Sequence, residues 1–278
     1  TTVDVFQSAT DNCGIINQVS VTPGTFNCSN FGVNTATLLT NDGHNNTATC
    51  TTSVKVTDNM APTMLCKNLS VNLNALGQVS VTAAQINNGS FDNCSISQLS
   101  LNKTTFNCAN LGANPVILTG TDPASNTAQC NALVTVLDGI LPVAACKSAT
   151  VQLNAAGTVT VLPATVNNNS SDNCSFTLTL TPNTFTCANV GTTTVTLKAT
   201  DTGNNSATCT ALLTVQDKVV PTAVCKNPTV FLNSNGQVTI TAASINNGSS
   251  DACGIATMTI NNSVFTCGDI TAPVTVTL

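Results

Sequence analysis

The 278-residue chain lacks four residue types that carry much of protein chemistry: it contains no tryptophan, tyrosine, glutamate or arginine. It has a single histidine, His44, and charged residues make up only 7% of the sequence. Catalysis requires an acid, a base or a nucleophile gathered at one place, and this composition offers little from which to assemble such a site. We therefore expect that the chain is not an enzyme and needs no organic cofactor.

Other absences exclude further classes of protein. The formal net charge of −5 is spread along the chain and no basic stripe exists, so nucleic acid is not an expected partner. No apolar run approaches the roughly 18 residues that a membrane-spanning helix needs. Hydrophobic residues nevertheless make up 42% of the sequence, which is not the composition of a disordered chain. These values together indicate a folded chain with buried cores.

What the sequence has in abundance is repetition. Acidic joints of one pattern occur at residues 48–67, 128–147 and 207–226. Successive cysteines are separated by 28, 14, 22 and 16 residues from Cys66 onward, and by 28, 13, 22 and 16 residues from Cys146 onward. The repeat is therefore about 80 residues long, the size of a small sandwich domain. We predict complete repeats at 59–138 and 139–217, the C-terminal part of a repeat at 1–58 and the N-terminal part of another at 218–278, within a longer chain.

Hydrophobic residues alternate with polar ones through each repeat, as in strands with one buried face. In the first complete repeat the alternating pairs are Val71 and Leu73, Val79 and Val81, Leu99 and Leu101, and Val116 and Leu118. Turn-forming Asn, Gly, Ser and Asp separate these pairs, and no segment keeps a period of 3.6 residues. Six or seven short strands per repeat predict an all-β sandwich. Core packing is the expected role of Phe26, Phe106, Phe185 and Phe265.

Five motifs recur from repeat to repeat. In the first complete repeat they are P-x-x-x-C at 62–66, D-N-C at 92–94, F-x-C followed by a glycine at 106–112, T-D-x-x-x-N-x-A-x-C at 121–130, and V-T-V-x-D at 134–138. This combination resembles the hyalin-repeat (HYR-like) immunoglobulin-type module. It is similar to the cysteine-rich form in giant surface adhesins of Bacteroidota, including gliding-motility adhesins exported by type IX secretion. The resemblance implies tandem immunoglobulin-like β-sandwich repeats, with two disulfides per repeat, at an extracellular cell surface.

The same resemblance implies a disulfide pairing. Simpler members of the family carry only the first and last cysteine of the unit, which implies the pairs Cys66–Cys130 and Cys146–Cys209. The remaining cysteines would then pair locally, as Cys13–Cys28, Cys94–Cys108, Cys174–Cys187 and Cys253–Cys267. Their spacing of 13 to 15 residues fits two antiparallel strands joined by a turn. Cys50 and Cys225 would have partners outside this sequence, and Cys50–Cys66 is a rival pairing.

Aspartates recur at three places in the repeat: before the mid-repeat cysteine, in the last hairpin turn and at the joint. In an immunoglobulin-like topology all three places lie at one end of the domain. The expected clusters are Asp58, Asp92 and Asp122, and Asp138, Asp172 and Asp201. Carboxylates beside asparagine amides are suitable ligands for Ca²⁺, so one hypothesis is a calcium site at each joint. The alternative is that these residues only form Asx turns, or that Lys67 or Lys147 pairs with one of the carboxylates.

These observations predict a mechanical role. We interpret the chain as a stalk or fibre section of an extracellular cell-surface adhesin, built of disulfide-stapled repeats that are joined end to end by short linkers. Its expected partners are neighbouring repeats of the same longer chain, while surface glycans or a substratum would be contacted by regions outside this sequence. Two alternatives stay open, namely a structural filament that assembles laterally and an array of glycan-binding modules.

Overall fold

The computed structural model describes residues 6–12, 16 and 18–278, which form two compact units, 1–137 and 138–278. Among its described residues, the first unit contains one short helix, α1 (Ala83–Ile86), and 3-10 turns at Cys28–Asn30 and Cys108–Asn110. Its strands are β1 (Gln18–Thr22), β2 (Gly32–Asn41), β3 (Thr47–Val56), β4 (Leu69–Asn72), β5 (Gln78–Ser80), β6 (Gln98–Leu101), β7 (Thr105–Asn107), β8 (Gly112–Thr121) and β9 (Thr127–Leu137).

The sheets of the first unit have an immunoglobulin-like order. One complete sandwich consists of a four-stranded sheet, β4-β9-β8-β6, and a two-stranded sheet, β5-β7. Strands β4 and β9 are parallel, with Leu69 opposite Val134, whereas every other pair is antiparallel. A third sheet, β1-β2-β3, comes from the preceding part of the chain. Because the first strand of the sandwich pairs in parallel with the last, the two ends of the domain meet in one sheet.

The second unit repeats this arrangement. Its helices are α2 (Pro163–Val166) and α3 (Ala242–Ile245), and 3-10 turns lie at Cys187–Asn189 and Cys267–Asp269. Its strands are β10 (Ala149–Gln152), β11 (Thr158–Thr160), β12 (Phe176–Thr181), β13 (Thr184–Thr186), β14 (Gly191–Asp201), β15 (Ser206–Gln216), β16 (Gln237–Thr239) and β17 (Val264–Thr266). The sheet orders are β10-β15-β14-β12, β11-β13 and β16-β17.

The core follows the alternation in the sequence. Along β14, Val195, Leu197 and Ala199 are fully buried, and the side chains between them are not. Phe106, Phe185 and Phe265 of the F-x-C motifs are buried and Phe26 is half-buried. This placement confirms the predicted all-β, immunoglobulin-like sandwich. The four-residue helices were not predicted, because a single turn is too short to show a helical period.

Two of the disulfides close individual repeats. Cys66–Cys130 and Cys146–Cys209, which we call the repeat staples, span 64 and 63 residues of sequence. In the second unit both cysteines pack against the hydrophobic core. Each repeat staple ties the region before the first long strand to the last strand, as the family resemblance implies. Cys66 is therefore not available to Cys50, and the rival pairing is wrong.

The expected local pairs are wrong, and the structure replaces them with bonds between successive repeats. Cys28 pairs with Cys94, and Cys187 pairs with Cys253, each across 66 residues of sequence; we call these the joint staples. Cys108 and Cys174 are also disulfide-bonded. These bonds rule out the local pairs Cys13–Cys28, Cys94–Cys108, Cys174–Cys187 and Cys253–Cys267.

Sheet order explains why the local pairs do not form. They require the segment after Cys94 and the segment before Cys108 to make a hairpin, but β6 pairs with β8 in one sheet and β7 pairs with β5 in the other. Strands β12 and β13 of the second unit are separated in the same way. Cys13 lies outside the described residues, and the thiols of Cys50, Cys225 and Cys267 are free and exposed.

Candidate functional site

The candidate site lies at the end of each repeat where the linker from the preceding repeat enters. This end carries both a disulfide and a cluster of carboxylates. In the first unit, this end carries the joint staple Cys28–Cys94 and a cleft of 250 Å³ lined in part by Phe31, Asp58 and Asn93. Asn27 caps the 3-10 turn that begins with Cys28: its side chain accepts a hydrogen bond from the Ser29 N–H. This cap helps to hold Cys28 in place, and the sulfur of Cys28 bonds to Cys94 of the next repeat.

The first carboxylate cluster lies next to this staple. Asp58, Asp92 and Asp122, which we call the N-terminal cluster, each place one carboxylate oxygen within 4.8 Å of the others. A backbone N–H group holds each of them: the Cys94 N–H donates to Asp92 Oδ2 at 3.0 Å, and the Asn126 N–H donates to Asp122 Oδ1 at 2.8 Å. The Met60 N–H donates to Asp58 Oδ1 at 3.1 Å. The three turns together bring the carboxylates to one point.

The second cluster has the same construction. Asp138, Asp172 and Asp201, the C-terminal cluster, also have carboxylate oxygens within 4.8 Å of one another. Asp138 and Asp201 are 8% and 5% exposed, so both carboxyl groups are withdrawn from water. The structure thus brings together both sets of aspartates that the sequence predicts to converge. A further group, Asp217, Asp251 and Cys253, is present, but the Cys253 sulfur is committed to a joint staple.

An asparagine ties each cluster to the linker that enters the repeat. In the second unit, Asn205 Nδ2 donates to the backbone oxygen of Asp138 at 2.9 Å and to Asp201 Oδ2 at 2.9 Å. Asn126 makes the equivalent bonds in the first unit, to the Asp58 backbone oxygen at 3.0 Å and to Asp122 Oδ2 at 2.7 Å. One side-chain amide therefore joins linker and hairpin.

We predict that Asn205→Ala destabilises the second unit by about 1–3 kcal/mol, because partly buried acceptors lose their donor. The measurement is the unfolding temperature by calorimetry, since the chain has no tryptophan or tyrosine to report by fluorescence. Asn235→Ala, in an exposed turn of the same unit, is the matched control, and we expect a change of no more than about 0.5 kcal/mol. Equal destabilisation by the two substitutions would contradict a stabilising role of the Asn205 side chain between linker and hairpin.

The corresponding hairpin of the first repeat is exposed. There the Asn46 side chain donates to Asp42 Oδ2 and the His44 N–H donates to Oδ1. These hydrogen bonds, that from Asn46 first, lower the pKa of the Asp42 carboxyl below its ordinary value. His44, the only histidine, thus lies in a solvent-facing turn.

A glycine makes room for the joint staple of the second unit. Gly157, at φ +71°, lies where a Cβ atom would come 2.8 Å from Cys187 Sγ and 3.1 Å from Ala252 Cβ. A Cβ atom built on Gly248, at φ +89°, would have no atom within 4 Å of it. Both glycines occupy backbone conformations that disfavour other residues, but only Gly157 is crowded by the staple.

We predict that Gly157→Ala impairs closure of Cys187–Cys253, because the added methyl group meets the sulfur. After oxidative refolding, alkylation and mass spectrometry are expected to find several-fold more free Cys187 and Cys253 than in the parent chain. Gly248→Ala carries the same backbone strain without the contact, and its thiols are expected to stay oxidised. If the two variants are oxidised equally, the close approach at Gly157 does not matter.

Sequence reasoning missed the joint staples, although a signal was available. The distance from the cysteine of F-x-C to the mid-repeat cysteine of the next repeat is 66 residues in both described staples. The local spacing within a repeat varies from 13 to 15 residues. The constant spacing of 66 residues is the signal that could have indicated these partners.

Comparison with known proteins gives no family for the chain. No protein-family model and no curated protein matches it. Among solved structures, it resembles cadherin domains 1–4 of protocadherin gamma B7 (TM-score 0.32, 13% identity, 77% of this chain and 66% of that chain). It also resembles human mucin-like protocadherin EC1-2 (0.32, 13%, 56% and 98%) and an E-to-A variant of titin domains I67–I69 (0.34, 11%, 66% and 75%). At these values the fold rests on the chain's own sheet order.

Proposed function

We propose that this chain is a load-bearing section of an extracellular stalk or fibre, displayed at a cell surface as part of an adhesin. The observation that carries the proposal is the covalent bond between successive repeats. Cys28–Cys94 and Cys187–Cys253 each join a repeat to the one that follows it. A linker alone would already connect the repeats, so a second covalent connection is useful chiefly where the joint must resist bending or tension.

Redox chemistry supports an extracellular location. Of the thirteen cysteines in the described residues, ten are disulfide-bonded, and such frameworks persist in oxidising compartments but are reduced in the cytosol. No helix in the described part of the chain is long and apolar enough to cross a membrane.

Repetition supports a mechanical rather than a catalytic role. The two complete sandwiches share strand order, staples and carboxylate clusters. A mechanical element gains length from each added copy, whereas an active site gains nothing from a copy of its scaffold. We accordingly propose no catalytic role, and we extend the proposal to an HYR-like gliding-type adhesin of Bacteroidota exported by type IX secretion, on the motifs quoted above.

The location is tested by immunogold labelling of intact source cells with antibodies raised against the 278-residue chain. We expect gold particles on fibres that project from the outer surface, without prior permeabilisation. Labelling that appears only after permeabilisation would overturn the proposal. Loss of substrate attachment in a strain from which these repeats are deleted, with the rest of the parent protein still exported, would identify the stalk as necessary for adhesion.

Two other functions have distinct signatures. A laterally assembling filament predicts that the sedimentation coefficient rises with concentration in analytical ultracentrifugation, whereas a stalk section stays monomeric. A glycan-binding array would use a cleft such as the one beside Phe31, which is 50% exposed. It predicts saturable binding on a glycan array that Phe31→Ala abolishes. Either result would replace the stalk as the primary function.

A further inference from the structure

We propose that the C-terminal cluster, Asp138, Asp172 and Asp201, binds one Ca²⁺ ion, and that the N-terminal cluster, Asp58, Asp92 and Asp122, binds another. This inference concerns a metal site and goes beyond the stalk function, since it does not depend on where the chain is displayed. The first observation is the negative charge of the two clusters. Three carboxylates with oxygens within 4.8 Å of one another repel each other strongly in a site withdrawn from water.

The groups that donate to these carboxylates do not offset that repulsion. In the C-terminal cluster, the donors are the backbone N–H groups of Ile140, Cys174 and Asn205 and the side-chain amides of Asn173 and Asn205. All of these groups are neutral. The hydrogen bonds of the cluster therefore leave its negative charge to be balanced by a cation.

Carboxylate oxygens without hydrogen-bond partners indicate where a balancing cation would bind. Asp138 is more than nine-tenths buried, and its Oδ2 atom has no hydrogen-bond partner. Asp172 Oδ1, in the same cluster, is also buried without a partner, as is Asp58 Oδ2 in the N-terminal cluster. A buried polar atom without a partner is costly, and a carboxylate oxygen is more costly still.

Turn formation explains only one carboxylate oxygen of Asp138 and one of Asp172. Asp138 Oδ1 accepts from the Ile140 N–H, and Asp172 Oδ2 accepts from the Cys174 N–H; both are Asx-type contacts. The opposite oxygens of the same two carboxylates are the ones without partners. Turn chemistry would be satisfied by asparagine at these positions, whereas a cation needs the second oxygen and its charge.

The ligand set selects calcium among the common metal ions. The clustered ligand atoms are all carboxylate oxygens, which suit a hard cation, and the neighbouring Cys94 and Cys174 are disulfide-bonded. The carboxylates come from three turns rather than from one rigid element, so they fit the adaptable coordination of Ca²⁺ better than the strict octahedron of Mg²⁺. Water would complete the shell. Extracellular modules of this kind bind with dissociation constants of about 0.1–1 mM.

The test is calorimetry of the complete oxidised chain in EGTA and during stepwise addition of CaCl₂. At ten times the dissociation constant, bound Ca²⁺ is expected to raise the unfolding temperature by about 5–10 °C. Equilibrium dialysis with ⁴⁵Ca is expected to detect the ion directly, and MgCl₂ at the same concentration is expected to give little shift.

Asp138→Asn separates the metal from the turn, because asparagine keeps the Oδ1 acceptor and removes the charge. In EGTA this variant is expected to unfold at the same temperature as the parent chain or higher, since it relieves repulsion. In Ca²⁺ it is expected to lose the gain of the second unit and one equivalent of bound ⁴⁵Ca. Asp172→Asn should behave alike. Asp269→Asn, a half-buried carboxylate outside both clusters that accepts from the Thr266 N–H, is the matched control and should leave the Ca²⁺ response unchanged.

Three results would overturn the proposal: no bound ⁴⁵Ca at 10 mM, an equal shift with Mg²⁺, or a Ca²⁺ response of the second unit that survives in both Asp138→Asn and Asp172→Asn, with no loss of bound ⁴⁵Ca. None of these would bear on the stalk, whose staples and surface labelling are measured separately. Conversely, a chain that binds Ca²⁺ but is found only inside cells would keep the metal site and lose the proposed function.

Discussion

Stretching the oxidised chain from its two ends in an optical trap is expected to release very little length when a repeat unfolds. The repeat staple Cys66–Cys130 withholds the 64-residue segment between its cysteines, so only the remaining residues of an 80-residue repeat can extend. At about 3.5 Å per residue, that is roughly 50 Å of contour, against about 280 Å for a fully reduced repeat. Reduction is therefore expected to increase the released length about five-fold.

Variants assign this effect to individual bonds. Cys66→Ser with Cys130→Ser is expected to release at most the part of that repeat beyond Cys94, because Cys28–Cys94 still withholds residues 28–94. Cys28→Ser with Cys94→Ser leaves every repeat staple intact and is expected to change the extension of the joint only. Oxidised and reduced chains with equal released lengths would contradict the load-limiting role of the staples.

Phe185→Ala is expected to destabilise the second unit by about 3–5 kcal/mol, the usual cost of removing a buried aromatic ring. Phe185 is 2% exposed and belongs to the core cluster formed with Val195, Leu197 and Leu213. Because the chain contains no tryptophan or tyrosine, this ring is among the largest side chains in the core. Calorimetry is expected to show a transition that splits off at lower temperature.

Phe231→Ala is the matched control for this substitution. Phe231 lies in the same unit but is 84% exposed, so its truncation is expected to change stability by no more than about 0.5 kcal/mol. Similar losses at the two positions would mean that the F-x-C phenylalanine is not a core residue. The comparison also tests whether aromatic burial, rather than the staples, sets the stability of one repeat.

The strands could be predicted because their information is local. Alternation around Val116 and Leu118 specifies which face of β8 is buried, and the turn residues specify where strands end. The convergence of Asp58, Asp92 and Asp122 also followed once the topology was assumed, since loop ends in a sandwich are determined by strand order. Local pattern and assumed topology were thus enough for the fold and for the acidic clusters.

The joint staples could not be reached in this way. The spacing of Cys94 and Cys108 fits two antiparallel strands joined by a turn, and no local pattern indicates that β6 and β7 belong to different sheets. The unpartnered oxygen of Asp138 is likewise a property of packing: it depends on which of two carboxylate oxygens the Ile140 N–H takes. Both features depend on how separate elements pack together, so the sequence pattern of a single element does not predict them.

The overlap of the two kinds of staple has a consequence for damage by proteases. The loop closed by Cys28–Cys94 contains Cys66, and the loop closed by Cys66–Cys130 contains Cys94, so the two loops interlock along the sequence. A single cut of the backbone anywhere between Cys28 and Cys130 leaves both fragments covalently joined. A fibre exposed to hydrolytic enzymes would thus be nicked many times before it is severed, and each nick would be visible only after reduction.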